Sequence, residues 1–194
     1  MANGNSAQGL IPRRLRNGAP WDGPVRTYHV PVGNATALFV GDPVIITGTG
    51  SPDGYPDVGI ATAGATNRIT GVVVGFRPIA PFSPYKYLPA STEGYVLVAD
   101  QADILYEIQE DSVGGALAVT NIGQNCDLIA GTGNTSTGLS GWMLDSSTAA
   151  TGATLQTRII ELQHRADNDI GVNAKWLVAI NLPTETGAAG STGV

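Results

Sequence analysis

The sequence has little charge and few of the residues that carry out acid–base or nucleophilic chemistry. Only 13% of its 194 residues are charged, whereas about 25% are charged in a typical soluble domain. The chain contains two histidines and one cysteine. A lone cysteine excludes a disulfide framework within the chain, so nothing in the sequence demands an oxidising compartment.

Long hydrophobic runs are also missing. The densest apolar run, Val72-Val73-Val74, lies between two glycines and is far too short to cross a bilayer. The first twenty residues contain three arginines and lack the apolar core of a signal peptide. We therefore expect a protein that is made in the cytoplasm, stays soluble and has no membrane partner.

Glycine and proline are abundant, and they indicate the fold class. The chain has 26 glycines and 12 prolines, about a fifth of its length, which favours many short strands joined by turns. Its 42% hydrophobic content excludes wholesale disorder. We predict an all-β fold, a single small barrel or sandwich of about nine or ten short strands over residues 25–182, with an extended N-terminal arm. Closure is expected, because so few charges leave open strand edges unprotected.

Alternation and β-branched runs place the strands and turns along this body. Strands are predicted at 25–32, 41–48, 58–62, 68–76, 94–100, 103–109, 125–131, 138–144, 154–164 and 174–182, with a turn at 51–57 and a loop at 63–67. The four prolines of 77–91 favour a long ordered loop. Three aromatic residues of that loop are expected to pack against the body: Phe82, Tyr85 and Tyr87. One helical turn is expected within 110–119, capped by Asp111 or Ser112.

Residues 1–24 show no periodicity and differ from the body in charge. Residues 1–26 contain four arginines and one acid, and the rest of the chain contains six basic and fifteen acidic residues. A basic arm favours docking on an acidic protein surface, such as the body of a neighbouring copy, and the acidic body would repel nucleic acid. A disordered tail is the alternative. The candidate contact residues of this arm are Leu10, Ile11, Arg13, Arg14, Arg16 and Trp21. Residues 183–194 are predicted to form a flexible tail.

The tryptophans and the small residues indicate a protein that works by contact. Trp21 is assigned to an interface because the arm has no core of its own. Trp142 and Trp176 lie in predicted strands and are expected to pack in the core. A surface rich in Thr, Ala, Gly and Ser loses little side-chain entropy when a partner orders it.

Candidate catalytic groups are few, and each has a structural explanation. His29 and His164 both lie in predicted strands, where a lone histidine is more often structural than catalytic. Cys126 lies in an apolar strand and is expected to be buried and inert. Ser140 lies in a sequence that departs from the nucleophile-elbow pattern, because Trp142 replaces the last glycine. Residues 167–171 resemble the start of a calcium loop but lack its later ligands, which favours a turn. The sequence therefore predicts no catalytic residue, no metal site and no cofactor.

Several longer strings resemble the cement, or decoration, proteins of tailed bacteriophage capsids. They are MANGNSAQGLIPRR, ATALFVGDPVI, ITGVVVGF, YVLVAD, QEDSVGGALA, LDSSTAAT and DNDIGVNAKWLVAIN. The resemblance runs nearly end to end and carries no active site with it. It implies a small β-rich virion protein that binds the outside of an expanded icosahedral shell and braces it against genome pressure.

The resemblance also implies partners and a location. The expected partners are the major capsid protein and other copies of this chain, with a trimer favoured and a dimer as the alternative. The expected location is the outer capsid surface, after synthesis in the host bacterial cytoplasm. Two other functions stay open: a receptor- or glycan-binding module of a virion or tail fibre, for which the aromatic residues of 77–91 are the one candidate cluster, and an enzyme that uses His29 or His164.

Overall fold

The structure, a computed structural model, describes residues 3–78, 86–185 and 190–194. These residues form short strands and two single-turn 3-10 helices, Val119–Asn121 and Ser146–Thr148. In chain order the strands are β1 (Ile11–Leu15), β2 (Arg26–Val30), β3 (Leu38–Phe39), β4 (Pro43–Gly50), β5 (Pro56–Ile60), β6 (Gly71–Arg77), β7 (Tyr87–Leu88), β8 (Gly94–Ala99), β9 (Ile104–Gln109), β10 (Asn125–Cys126), β11 (Leu128–Ile129), β12 (Met143–Leu144), β13 (Thr157–Leu162) and β14 (Lys175–Ile180).

Five of these strands close a barrel in the order β2-β5-β4-β6-β8. β2 pairs in parallel with β5, and the other neighbouring strands of the barrel are antiparallel. Its interior is filled by buried side chains that include Tyr28, Val44, Val73, Val96 and Val98. Alternate residues of a strand point to opposite faces, so β-branched residues at every second position of β8 supply this core.

Five other strands form an antiparallel sheet in the order β1-β9-β14-β13-β10. The buried core on one face of this sheet includes Trp176, Tyr106, Ile108 and Ile159. All six residues of β9 are buried. Strand β9 is therefore covered on both faces.

The barrel packs on the sheet through the outward-facing residues of its own strands. Val72 and Ala99 belong to barrel strands, yet their side chains lie in the core of the sheet. Ile60 contacts both cores. The barrel wall thus serves as one of the two layers that enclose the sheet core, which is how a chain of this length encloses two apolar cores.

The all-β class that composition predicts is confirmed, but the body is not a single barrel or sandwich. It combines a closed barrel with a separate sheet and two small two-stranded sheets, β3-β7 and β11-β12. Several predicted strands are shorter than expected. The segment 125–131 divides into β10 and β11 at Asp127, whose carboxylate accepts a hydrogen bond from Gln156 N. The segment 138–144 supplies only β12.

The structure corrects three local expectations. The helical turn expected within 110–119 begins only at Val119. The Asp111 carboxylate accepts hydrogen bonds from Val113 N and from Ser146, and no helix follows it directly. His164 lies beyond the end of β13 and is exposed. Within the segment predicted as a flexible tail, residues 190–194 bond to the body: Gly193 N donates to Thr151 O.

The proline-rich segment is described only in part. Phe82 and Tyr85 lie outside the described residues. Tyr87 packs as predicted, because its ring stacks on Phe39 with 4.9 Å between centroids. That stacking occupies one face of the Tyr87 ring.

Candidate interaction surface

The N-terminal segment lies on the chain's own sheet. Strand β1 pairs antiparallel with β9, with Ile11 opposite Glu107 and Leu15 opposite Ile104. The chain then turns back on itself, since Leu15 N donates to Ala19 O and Trp21 N donates to Arg13 O. The prediction of an extended arm is therefore wrong for these residues, which form the edge strand of the sheet.

Leu10 was predicted to contact a partner, and the structure places it in the chain's own core. Its side chain is 1% exposed and lies in the core of the sheet. The close approach that buries it depends on Gly9, which has a φ of +68° and whose Cβ, if present, would lie 2.3 Å from Gly41 O. Burial of one leucine contributes about 1.5–3 kcal/mol to folding. Leu10 therefore anchors the segment to the body and offers no surface to another chain.

Two arginines converge on one buried carboxylate beneath the segment. Glu107 is 3% exposed, and its two carboxylate oxygens accept from Arg13 Nε at 2.8 Å and from Arg165 Nη1 at 3.0 Å. Arg165 also forms two hydrogen bonds to Asp167, and this guanidinium lowers the pKa of Asp167 to about 2. A buried carboxylate is tolerated only when it is paired and hydrogen-bonded.

The remaining predicted contact residues have different environments. Arg14 forms an ion pair with Glu161. Ile11 is half-buried. Trp21 packs against the sheet core, and no acceptor for its buried indole Nε1 is found among the described residues. Arg16 is exposed, and in the described part of the chain its side chain makes no ion pair or hydrogen bond. Of the four, Arg16 is the residue whose side chain is free for another molecule.

The structure adds a surface that the sequence did not indicate. Strand β9 ends and β14 begins at the same end of the sheet, where Gln109 is opposite Lys175. The adjoining loops carry three exposed aliphatic side chains, which we call the rim patch: Val113 (62% exposed), Ile170 (45%) and Val172 (61%). A valine or isoleucine beside glycines in a predicted turn is the sequence signal that would have located it.

Hydrogen bonds hold the loops of the rim patch in place. Asn173 N donates to Ser112 Oγ at 2.9 Å, which ties the two loops together. The Asn3 side-chain amide donates to Asp169 O at 2.7 Å and Val172 O at 3.0 Å, and its oxygen accepts from Asp169 N at 2.8 Å. The N-terminal segment therefore holds the 169–172 loop of the rim patch through Asn3, in addition to forming the edge strand of the sheet.

The loop after β9 is further ordered by a buried carboxylate. Glu110 is fully buried, and it accepts hydrogen bonds from Leu117 N at 2.6 Å and Ser112 Oγ at 3.2 Å. Burial raises the pKa of Glu110, and the bond from Leu117 N opposes that rise. Val113 thus projects from a loop whose backbone is already fixed before any partner arrives.

His29 is enclosed by carboxylates. Its Nδ1 lies 2.6 Å from Asp57 Oδ1 and its Nε2 lies 3.0 Å from Glu93 Oε1. Burial by itself lowers the pKa of His29, but the hydrogen bonds to Asp57 and Glu93 outweigh it, so that the pKa is raised. Both ring nitrogens of His29 thus face carboxylates that stabilise the protonated imidazole, which agrees with a structural role for this residue.

Cys126, Trp142 and Trp176 are buried as predicted, and Ser140 is buried as well. Cys126 is fully buried, and its Sγ donates to Asp145 O at 3.0 Å. Burial raises the pKa of the Cys126 thiol to about 12, so it is protonated at neutral pH. Trp142 and Trp176 both lie in the sheet core. Ser140 is buried, and its Oγ accepts from Trp142 N.

Residues 3–78, 86–185 and 190–194 contain no group of His, Cys, Asp and Glu side chains arranged to hold a metal ion. Within the same ranges, no helix is long and apolar enough to cross a membrane. Comparison with known proteins adds nothing to these observations: no family model matches the chain, no curated protein matches it and no solved structure matches it.

Proposed function

We propose that this chain is a non-enzymatic virion structural protein that binds the outside of a bacteriophage capsid and braces neighbouring major capsid subunits. The observation that carries the proposal is the rim patch, three exposed aliphatic side chains on loops that are already held by hydrogen bonds. The resemblance of the sequence strings to capsid cement proteins supports the same function. In this proposal the protein is made in the bacterial cytoplasm and acts on the outer capsid surface.

The physical argument for contact rests on entropy and desolvation. Ordering a flexible loop at an interface costs free energy that a pre-ordered loop does not lose. Removing exposed valine and isoleucine from water is favourable in proportion to the apolar area buried. The low charge of the chain means that few ionic groups must lose water when the surface is covered.

The proposal includes two contact points at opposite ends of the sheet. The rim patch adjoins the Gln109 end of β9, and Arg16 follows β1 near the Ile104 end. The six residues of β9 place these points roughly 20 Å apart. A molecule that contacts one subunit at each end joins them, and Arg16 would meet an acidic group there.

Binding of this kind stabilises the assembled shell by mass action. A ligand that binds only the assembled form contributes about 2.7 kcal/mol per site when its concentration is a hundred times the Kd. Copies of the protein that contact each other around a symmetry axis would add multivalency. The proposed assembly is a trimer, and sedimentation of the purified protein separates it from the dimer that is the alternative.

The test compares two exposed valines on purified expanded capsids that lack this protein. Val172 lies in the rim patch, and Val32, which is 63% exposed, lies after β2 of the barrel. We expect Val172→Asp to weaken capsid binding by about tenfold or more, and Val32→Asp to bind as the unchanged protein does. Equal binding by the two variants would remove the rim patch from the function, and failure of the unchanged protein to bind capsids would overturn the function itself.

A further inference from the structure

A groove on the side of the molecule is not used by the proposed function. It lies between barrel residues and residues 130–133, and its volume is about 530 Å³. Sites that hold small ligands have volumes in this range. Phe39, Asp42 and Trp142 line it together with small residues such as Ala63. We refer to these residues and 130–133 as the groove.

One wall of the groove is a length of backbone with free hydrogen-bonding groups. Residues 130–133 continue the chain from β11 towards an antiparallel bridge between Asn134 and Leu139. The ladder with β12 ends at Ile129 and Met143. Among the described residues, none donates to or accepts from the backbone N–H and C=O groups of 130–133. Such a row of unpaired groups is what an added peptide strand requires.

A buried carboxylate without a cation lines the same groove. Asp42 is 3% exposed, and its Oδ2 accepts a hydrogen bond from Phe39 N at 2.8 Å. In the three described ranges, Asp42 makes no ion pair. By contrast, buried Glu107 has two arginines. Burial raises the pKa of Asp42 to about 6, and the hydrogen bonds from the Ser140 side chain and from Phe39 N oppose that rise.

Two glycines bring one wall of the groove close to the residues that face it. Gly133 lies against the Phe39 ring so closely that a Cβ on it would be 2.2 Å from that ring, and a Cβ on Gly131 would clash with Gly141 O. The wall therefore approaches the aromatic floor as only glycine allows. A lysine combines an aliphatic stem, which packs on apolar and aromatic surface, with a terminal charge.

We propose that the groove binds an extended segment of another protein, which adds its main chain to residues 130–133 and places a lysine side chain on Asp42. The free backbone provides main-chain hydrogen bonds, and the carboxylate provides charge selection. This goes beyond the proposed function, because it names a second surface and the chemistry of its occupant, and it holds whether or not that partner is a capsid subunit.

The test uses the full chain, labelled with ¹⁵N, and two synthetic peptides observed by NMR. The probe is acetyl-Thr-Ala-Lys-Ala-Thr-amide, and its matched control has norleucine in place of lysine. We expect the lysine peptide to shift the amide signals of 130–133 and the indole signal of Trp142, and the norleucine peptide to bind about tenfold more weakly. Shifts confined to other residues, no shifts at all, or equal affinity for the two peptides would overturn the proposal.

Two variants make the test specific. Asp42→Asn retains an acceptor for Phe39 N and removes the charge, so it is expected to abolish the preference for lysine over norleucine. Asp103→Asn changes an exposed aspartate away from the groove and is expected to preserve that preference. Val172→Asp is expected to bind the lysine peptide normally, which separates failure of this inference from failure of capsid binding.

Discussion

At the scale of single residues, three of the buried ionisable groups lie in clearly different electrostatic environments. Glu107 is neutralised by two arginines. His29 lies between two carboxylates, and these favour its protonated form. Asp42 has hydrogen bonds but, within the described residues, no cation. Each environment leads to its own dependence of stability on pH or on mutation, because a pKa that differs between the folded and unfolded chain is a stability difference.

Asp42→Asn is expected to stabilise the protein at pH 7. Burial raises the pKa of Asp42 from 3.8 to about 6, so the folded chain holds this proton more tightly than the unfolded chain does. The preference of the folded chain for protonated Asp42 contributes its full stabilisation below about pH 4, and this stabilisation is lost as the pH rises through 6. The free energy of unfolding falls by up to about 3 kcal/mol over this interval. Urea unfolding at pH 7 and pH 4 measures it.

The control for this prediction is the same comparison at low pH. At pH 4 the unchanged aspartate is protonated in the folded chain, so the advantage of asparagine is expected to shrink. A variant that is less stable than the unchanged protein at pH 7 would contradict the prediction. A stabilised variant would indicate that the carboxylate is retained for a purpose other than folding, since functional groups often reduce stability.

His29 is expected to make the barrel less stable as the pH rises. Its pKa in the folded chain is raised above 6.5, so its contribution is complete below pH 6.5 and disappears as the pH rises through the folded-state value. A neutral imidazole donates only one hydrogen bond, which leaves Asp57 or Glu93 without its donor. Thr49 donates to Asp57, and the Tyr95 ring lies 5.3 Å from the imidazole.

The measurement is the Tm of three proteins between pH 6 and pH 9. His29→Gln is expected to show a smaller fall in Tm over this interval than the unchanged protein does. His164→Gln, which alters the exposed histidine, is the matched control and is expected to behave as the unchanged protein. If all three proteins lose Tm equally, His29 does not govern the pH dependence of the barrel.

At the scale of elements, β1 has two roles: it pairs with the edge of β9, and its Arg13 pairs with the buried carboxylate of Glu107. Without β1, the hydrogen-bonding edge of β9 would be open, Leu10 would leave the core and Glu107 would keep only Arg165. Deletion of residues 2–24 is therefore expected to destabilise the body, so reduced capsid binding by that deletion would not identify a contact. Point variants such as Val172→Asp are the cleaner probe of the interface.

Two neighbouring arginines of β1 are expected to differ in their contribution to stability. Arg13 bonds to Glu107, whose side chain is 4% exposed, whereas Arg14 pairs with the partly exposed Glu161. Arg13→Ala is expected to reduce the free energy of unfolding by about 2–4 kcal/mol, since it weakens the pairing of a buried charge. Arg14→Ala is expected to cost about 1 kcal/mol or less. Urea unfolding that gave equal losses for the two variants would contradict this difference.

At the scale of the whole molecule, the barrel and the sheet share one structural layer. Val72 and Val73 are adjacent in β6, yet Val72 lies in the core of the sheet and Val73 in the core of the barrel. Unfolding the barrel therefore removes one side of the sheet core. Cores that share a wall are expected to unfold together as one cooperative unit.

Two spectroscopic signals test this cooperativity. The three tryptophans all contact the sheet core and none lies in the barrel core, so tryptophan fluorescence reports the sheet. Far-ultraviolet circular dichroism reports the strands of both parts. We expect the two urea transitions to coincide in midpoint and slope. A fluorescence transition separated from the circular dichroism transition would mean that the barrel and the sheet unfold independently.

Local sequence pattern predicted the features that depend on neighbouring residues. β-branched runs with glycines indicated the all-β class and most strand positions, such as β6 and β14. The apolar strings around Cys126, Trp142 and Trp176 indicated burial, and the structure confirms it. These features follow from the sequence alone, because strand geometry and apolar burial are encoded by residues close together in the chain.

Only the tertiary structure decided which strands pair and what the basic segment touches. β9 takes β1 and β14 as partners across long stretches of chain, and nothing in its own alternation distinguishes these partners from the barrel strands. The sequence indicated a basic segment and an acidic body, but the ion pair with buried Glu107 and the burial of Leu10 in the sheet core hold that segment on its own sheet. The rim patch and the groove arise in the same way, since each combines segments that are distant in sequence and adjacent only once the chain has folded.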